Sequence, residues 1–213
     1  MPATPLPDTL DEIRALLRHL PGPDLEAGTA VPERDRQQTK PPGSLGRLED
    51  LVEWMAVWQG KHPPQLRRPR VAVFAGNHGV AVAQGVSAYP VAVTAQMVQN
   101  FVAGGAAVNQ LCQVADSDLR VYELDLDRPT ADFTIAPAMT EADCTRAMAY
   151  GMMAVEPGHR RLLDKLGRTA LLDLGMRLGE GSGAALAIGL VRGALACHEG
   201  MATFAQAGVS NKD

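Results

Sequence analysis

Aromatic residues are scarce in this chain, at 4% of 213 residues. Leu, Val, Ala and Met must therefore fill its core, and stacking of nucleobases on aromatic platforms is excluded as a main binding mode. Cysteine is scarcer still. Cys112, Cys144 and Cys197 are scattered and form no C-x-x-C pair, which excludes a disulfide framework and makes a reducing, cytoplasmic compartment the expectation. No excess of either charge is present: 20 Lys and Arg face 24 Asp and Glu, a net charge of −4. That balance carries no footprint for nucleic acid or anionic lipid. Long apolar runs are also missing. The longest, near 184–191, falls far short of the ~20 residues that span a bilayer. Residues 1–7 have no basic start and no apolar centre, so no signal peptide is expected. Neither nucleic acid nor membrane is an expected partner.

What remains is an ordinary globular balance, 46% hydrophobic and 21% charged, which excludes disorder for the bulk of the chain. Length fits one domain, or one with a small appendage. Asp8 or Thr9 can cap a helix to about Leu20, with Leu10, Ile13, Leu16, Leu17 and Leu20 on one face; Pro21 and Pro23 stop it. A polar stretch over Pro32–Gln38 follows. Ser44 can cap a helix over Leu45–Gln59, with Leu48, Leu51, Val52 and Met55 inward. The pattern then changes. Arg70–Ala75 reads as a buried strand, Leu119–Leu126 as a second and Thr169–Leu174 as a third. Helices are expected over Val93–Val102 and Ala106–Val114, broken at Gly104-Gly105. Another opens at the capping-box pattern Thr140–Asp143 and runs to about Val155, and a last covers Ala184–Cys197. Met148, Met152 and Met153 read as core filler.

Alternation of strands and helices predicts an α/β fold: a mainly parallel sheet flanked by helices in a Rossmann-like three-layer arrangement, with a small helical N-terminal segment. The expected division is 1–62, helical, and 63–213, α/β. Ligands of such sheets sit beyond the carboxyl ends of the strands, which directs attention to the loops at 76–90 and 175–183.

The strongest local feature is Gly179-Glu180-Gly181-Ser182-Gly183. Its glycines let backbone approach a ligand closely, and the loop ends at a helix start that suits anions. Glu180 is either a general base or an acid that complements the helix dipole. Gly179-x-Gly181-x-x-Ala184 also fits a loose dinucleotide pattern, with Glu199 where a ribose-binding acid would lie. A βαβ unit needs a further strand after the helix, and 200–213 offers none. His78 lies in a strand-end glycine loop, a place suited to function. The five histidines form no H-x-x-x-H pair, so no metal site is expected. No Walker lysine motif and no G-x-S-x-G elbow occurs.

Several unusual strings occur in order: Lys40-Pro-Pro-Gly-Ser-Leu-Gly-Arg-Leu-Glu49, Ala75-Gly-Asn-His-Gly-Val80, Gly85-Val-Ser-Ala-Tyr-Pro90, Val93-Thr-Ala-Gln-Met97, Asn100-Phe-Val-Ala-Gly-Gly-Ala-Ala107, Met176-Arg-Leu-Gly-Glu-Gly-Ser-Gly-Ala-Ala-Leu-Ala187 and Met201-Ala-Thr-Phe204. Together, from about residue 8 to 210, they resemble the nicotinate-nucleotide–dimethylbenzimidazole phosphoribosyltransferase family. The resemblance implies transfer of phosphoribose from nicotinate mononucleotide to 5,6-dimethylbenzimidazole, in synthesis of the lower loop of cobalamin. It implies Glu180 as catalytic base and a benzimidazole pocket drawing on Ser87, Tyr89, Gln96, Arg177, Leu178, Gly179 and Gly181. It implies a homodimer, with no cofactor and no metal. His78 matches a family histidine, with Asn77 replacing the usual aspartate beside it.

The resemblance also implies an omission. Family members carry a long central region between the helix after Thr140 and the strand at Thr169. It includes a Gly-x-x-Asn-Thr-Thr phosphate loop and an assisting lysine. Here about 156–168 bridges that place, and no Asn-Thr-Thr occurs. Two alternatives therefore stand beside the enzyme: a non-catalytic relative that binds a benzimidazole or nucleotide, and a structural dimer remnant.

Overall fold

The computed structural model describes residues 7–154 and 181–207. The chain divides into two compact units. One holds α1 (Leu10–Arg18), β1 (Arg70–Gly76), α4 (Gly79–Ala83), α5 (Ala92–Ala103), α6 (Ala107–Val114), β2 (Asp118–Leu124) and α7 (Glu141–Ala154). The other holds α2 (Leu25–Asp35), α3 (Arg47–Gln59), α8 (Ser182–Gly200) beyond its first residue, and α9 (Phe204–Ala207). The boundary expected at 62/63 divides the chain in sequence. These units divide it in space, and each gathers more than one stretch.

In the first unit β1 and β2 pair in parallel, from Arg70 opposite Asp118 to Gly76 opposite Leu124. Together with the flanking helices this is an α/β fold. The two strands are rich in β-branched and aromatic residues, as a pleated half-buried surface favours. The helices α5 and α6 pack on the sheet and bury Val98, Phe101, Val108 and Cys112. They are separated where expected. Gly104 closes α5 at φ 81°, the left-handed region that glycine occupies without a Cβ clash. Asn109 fastens the corner: its Oδ1 accepts from Ala106 N–H at 3.1 Å and its Nδ2 donates to Phe101 O at 2.9 Å. The N-terminus of α7 is closed by Thr140, whose Oγ1 accepts from Asp143 N–H at 3.1 Å and donates to the Asp143 carboxylate at 2.6 Å. Thr9 caps α1 by accepting from Glu12 N–H.

The second unit is helical. Val31, Val52, Met55 and Ala56 of α2 and α3 form one buried cluster with Ala194 and Leu195 of α8. The helices α2 and α3 approach closely; a Cβ on Gly28 would sit 2.5 Å from Val57 Cγ2. Main-chain bonds from Thr39 N to Ala202 O and from Phe204 N to Gln37 O tie the segment after α8 to that before α3.

Several local expectations are corrected. Ser44 does not cap α3. The helix starts at Arg47, its N-cap is Gly46 at φ 53°, and no side-chain cap bond is made; instead the Glu49 carboxylate reaches back to Leu45 N–H at 3.1 Å. The polar stretch from Pro32 begins inside a helix, since α2 runs through Pro32 to Asp35, with Val31 in the helix–helix core. The apolar face of α1 narrows to Ile13, with Leu16 and Leu17 exposed, and the helix ends at Arg18. Met148 is exposed rather than core filler. The helix expected over Ala184–Cys197 extends to both sides. The third strand expected at Thr169–Leu174 lies outside the described residues.

Candidate functional site

The carboxyl end of the parallel pair is the place where an α/β sheet presents ligands. There β1 runs into Asn77 and His78, and the chain after β2 folds back to meet them. Asn77 Nδ2 donates to Leu126 O at 2.8 Å, and Thr130 N–H donates to Asn77 O at 3.0 Å. Gly79 N–H donates to Thr130 O at 2.8 Å. A Cβ at Gly79 would lie 2.7 Å from that oxygen and 2.8 Å from Asp132 N, so only glycine lets the two backbones meet. Asn77, where the resemblance leads one to expect aspartate, thus acts as a donor that joins the two strand ends.

His78 is exposed, and its Nδ1 lies 3.2 Å from Thr130 Oγ1. That contact orients the ring and leaves Nε2 free of it. Asp132 Oδ1 accepts from Thr134 N–H and Thr134 Oγ1 at 2.9 and 2.8 Å, and these bonds lower its pKa below the ordinary value. Thr130 and Asp132 escaped the sequence reading. Their signal was a turn-rich segment directly after a strand, which position alone did not separate from an ordinary connection.

Ser87 and Tyr89 come together in the loop before α5. The Ser87 hydroxyl donates to Tyr89 O at 3.0 Å and accepts from Tyr89 N–H at 3.2 Å. The phenol ring is 71% exposed, beside the equally exposed Val82 and Val86 on the same stretch of chain. Gln96 sits on α5 with its side chain exposed. The hydrogen bonds of Ser87 and Tyr89 to each other do not reach it. Val82, Val86 and Tyr89 thus leave apolar side chains in water on this stretch.

Gly181 is the described member of the Gly-Glu-Gly string. Its φ is +82°, and a Cβ there would lie 3.1 Å from Val71 Cγ1 and 3.7 Å from Val73 Cγ2. The string therefore ends in contact with β1, and α8 starts at the next residue, Ser182, which is fully buried. Glu180, Arg177, Leu178 and Gly179 lie outside the described residues.

The string at 40–49 belongs to the helical unit. Lys40 Nζ donates to Glu49 Oε1 at 2.7 Å, with the lysine side chain 4% exposed. The pair lines a cleft of about 220 Å³ together with Asp35, Arg36, Asp50 and Glu53. Among the described residues no group of three or more His, Cys, Asp or Glu is placed to hold a metal ion. No helix there is long and apolar enough to cross a membrane.

A family model described as Phosphoribosyltransferase matches residues 20–156 and 153–209. The nicotinate-nucleotide–dimethylbenzimidazole phosphoribosyltransferases of Sinorhizobium medicae (strain WSM419) and Rhizobium meliloti (strain 1021) are 38% identical to this chain, with 100% of each chain covered. The first alignment runs over 341 residues, so at least 128 of its positions (341 less 213) face no residue of this chain. The two family matches meet at 153–156, and the second includes the stretch 156–168. The crystal structure of the nicotinate-nucleotide–dimethylbenzimidazole phosphoribosyltransferase of Thermus thermophilus superposes with a TM-score of 0.72 at 26% identity, covering 89% of this chain and 100% of that one. With the α/β fold, the strand-end loops and both family matches in agreement, this chain belongs to the phosphoribosyltransferase family that the model describes.

Proposed function

We propose that this chain transfers phosphoribose from nicotinate mononucleotide to 5,6-dimethylbenzimidazole, giving α-ribazole 5′-phosphate and nicotinate in cobalamin synthesis. The observation that carries this reading is likeness along the whole chain to relatives that bear that activity in their names, with the Gly179-Glu180-Gly181 string present. One benzimidazole nitrogen attacks the anomeric carbon as the bond from that carbon to the nicotinate nitrogen breaks. The electron pair of the broken bond returns to the pyridinium ring and neutralises it, so departure needs no acid. The other benzimidazole nitrogen carries a proton that must leave, and the Glu180 carboxylate accepts it. Free N–H groups at the start of a helix keep such a carboxylate ionised.

Ser87, Tyr89 and Gln96, with Arg177 and Leu178, receive the azole ring. Tyr89, Val82 and Val86 supply exposed apolar surface, and the Ser87–Tyr89 bonds hold the turn that presents it. Gly179 and Gly181 admit close backbone approach. The active form is a cytoplasmic homodimer that takes small-molecule substrates, with no cofactor and no metal in the step.

Release of nicotinate from nicotinate mononucleotide, followed with and without dimethylbenzimidazole, tests the reading. Release that depends on the azole and drops about 10²-fold or more in Glu180→Gln is expected. Azole-independent release, or equal rates in the two proteins, overturns it.

A further inference from the structure

The loop that carries Ser87 and Tyr89 leaves the sheet end through α4, a helix of five residues. So short a helix is marginal by itself, and none of its residues is buried, so packing does little to fix where it lies. Hydrogen bonds fix it, and at both ends they go to the segment after β2. At the start, Gly79 N–H donates to Thr130 O at 2.8 Å. At the end, Gln84 Nε2 donates to Thr134 Oγ1 at 3.3 Å, across 50 residues of chain.

That segment is a firm base. Ala131 N–H donates to Ala138 O at 2.8 Å, and Asp132 O accepts from Ile135 N–H and Ala136 N–H, each at 3.1 Å. The Asp132 carboxylate accepts from both the main-chain N–H and the hydroxyl of Thr134. A hydroxyl has one proton to give, and with that bond made to Asp132 the Thr134 oxygen meets Gln84 as an acceptor. The order of donation, Gln84 to Thr134 to Asp132, is therefore fixed. The two Thr134 bonds, opposed by burial and aided by Gln84, hold the Asp132 carboxyl below its ordinary pKa, so the row ends on an ionised carboxylate at neutral pH.

Beyond Gln84 this anchoring stops. Gly85 turns the chain at φ 59°, Val86 and Tyr89 are exposed, and Ser87 and Tyr89 bond to each other. The next fixed point is the start of α5, where Val93 N–H donates to Pro90 O at 3.0 Å. Among the described residues, Gln84 is thus the last side chain before Tyr89 that bonds to a distant segment. We infer that Gln84 is a positioning residue of the azole site: through Thr134 it sets the end of α4, and with it the place of Ser87 and Tyr89 when dimethylbenzimidazole is bound. This rests on the proposed reaction, in which Tyr89 receives the azole; Gln84 acts through that loop and touches no substrate.

Calorimetric titration of the full chain with dimethylbenzimidazole tests it, with urea midpoints and nicotinate release measured alongside. Gln84→Ala should weaken azole binding about fivefold, the worth of one hydrogen bond. Its urea midpoint should stay that of the parent, since the side chain is exposed. KM for the azole should rise to the same extent with kcat unchanged. Gln84→Glu offers Thr134 no proton and sets a second carboxylate beside Asp132, so it should weaken binding at least as much. Gln84→Lys keeps a donor and should restore it. Gln59→Ala, which removes two bonds to the Gln65 main chain in the helical unit, should leave azole binding unchanged. Tyr89→Ala separates positioning from a merely structural role: in that background Gln84→Ala should cost about twofold at most. The same loss in both backgrounds overturns the inference, as does a Gln84→Ala chain that binds like the parent, or a parent that does not bind the azole. A parent that binds the azole and shows the Gln84 loss without releasing nicotinate supports the positioning role and counts against the proposed reaction alone.

Discussion

Two of the unusual strings that carry the family likeness fold in opposite ways. Residues 40–49 satisfy one another. Lys40 is buried against Glu49, the same carboxylate oxygen holds Leu45 N–H, and Gly43 and Gly46 supply positive φ values of 73° and 53° for the turns between. Residues 85–90 make only local bonds among the described residues: Ser87 and Tyr89 bond to each other, and Pro90 O accepts from Val93 N–H at 3.0 Å. Val86 and Tyr89 remain about 70% exposed, and among the described residues Ser87 bonds to Tyr89 alone. The first string is explained by the fold of its own unit. The second leaves its apolar side chains in water, which is what the proposed receipt of the azole ring would use. An unusual string is therefore not in itself a binding motif; what separates the two kinds is whether its polar and apolar groups are already spent on each other.

The largest effect that sharpens this contrast is Lys40→Met. It leaves the Glu49 carboxylate, only 19% exposed, without its cation. The expected cost is about 3 kcal/mol, the low end for breaking a buried pair, read as a lowered urea midpoint. Lys40→Met with Glu49→Leu removes both charges and should recover much of that loss. Glu49 also reports on pH. Burial pushes its pKa up, but the Lys40 hydrogen bond, the Leu45 N–H and the lysine charge together outweigh burial and hold it below the ordinary 4.5. The unfolded chain takes up this proton first as acid is added. The contribution is therefore complete above pH 4.5 and is lost as pH falls from there through the lower folded value. A double variant as unstable as the single one would contradict this account of the string.

The other half of the contrast predicts the reverse. Tyr89→Ala removes an exposed ring, and its stability should stay within about 0.5 kcal/mol of the parent. Binding of dimethylbenzimidazole, measured by calorimetry, should weaken by about tenfold, the value of one aromatic contact. Lost stability with unchanged binding would put the loop in the same class as residues 40–49.

Much of the fold was legible because its signals are local. The two strands are short β-branched runs, Gly104 marks its own helix end, and Thr140 with Asp143 announces the start of α7. What escaped was decided by distant or competing partners. Ser44 carries a capping side chain, but Glu49 takes the nearest free N–H of that turn. The stretch Pro32–Gln38 shows only its polar composition, yet α2 runs through Pro32 to Asp35 with Val31 in the helix–helix core. Met148 reads as core, but its place on α7 leaves it 41% exposed. At the site, the strings themselves were visible, and Ser87 and Tyr89 are indeed neighbours. The closure of the sheet end by Thr130 and Gly79 was not visible, since it depends on two backbones separated by a strand and three helices meeting at one carbonyl. Lys40 and Glu49 likewise pair across a turn whose geometry no helical spacing rule anticipates.

The smallest effect lies deeper in the helical unit, where a second polar cluster extends the self-satisfied pattern of residues 40–49. His198, 2% exposed, has Nδ1 3.1 Å from Asp35 Oδ1 and Nε2 3.1 Å from His62 Nε2. Its carbonyl accepts from Arg34 Nε at 3.0 Å and from Gln38 Nε2 at 2.7 Å. Asp35 Oδ1 accepts from His198 Nδ1–H, which leaves His198 Nε2 as the acceptor and makes His62 the donor. Only one of the two rings can direct an N–H at the other across that contact. Burial holds the His62 pKa below the ordinary 6.5, aided by the neighbouring charges of His198 and Arg34 and opposed by Asp35. Unfolded His62 binds its proton near 6.5 and the folded one at lower pH. Its contribution to stability is thus complete above pH 6.5 and is lost as pH falls from there through the folded value. Urea midpoints measured from pH 7.5 to 5 should decline for the parent chain and decline less for His62→Phe, which keeps a ring in the same place without a proton to gain. Identical declines would assign the acid sensitivity elsewhere and leave this cluster as packing only, with the contrast between satisfied and unsatisfied regions resting on residues 40–49 and 85–90 alone.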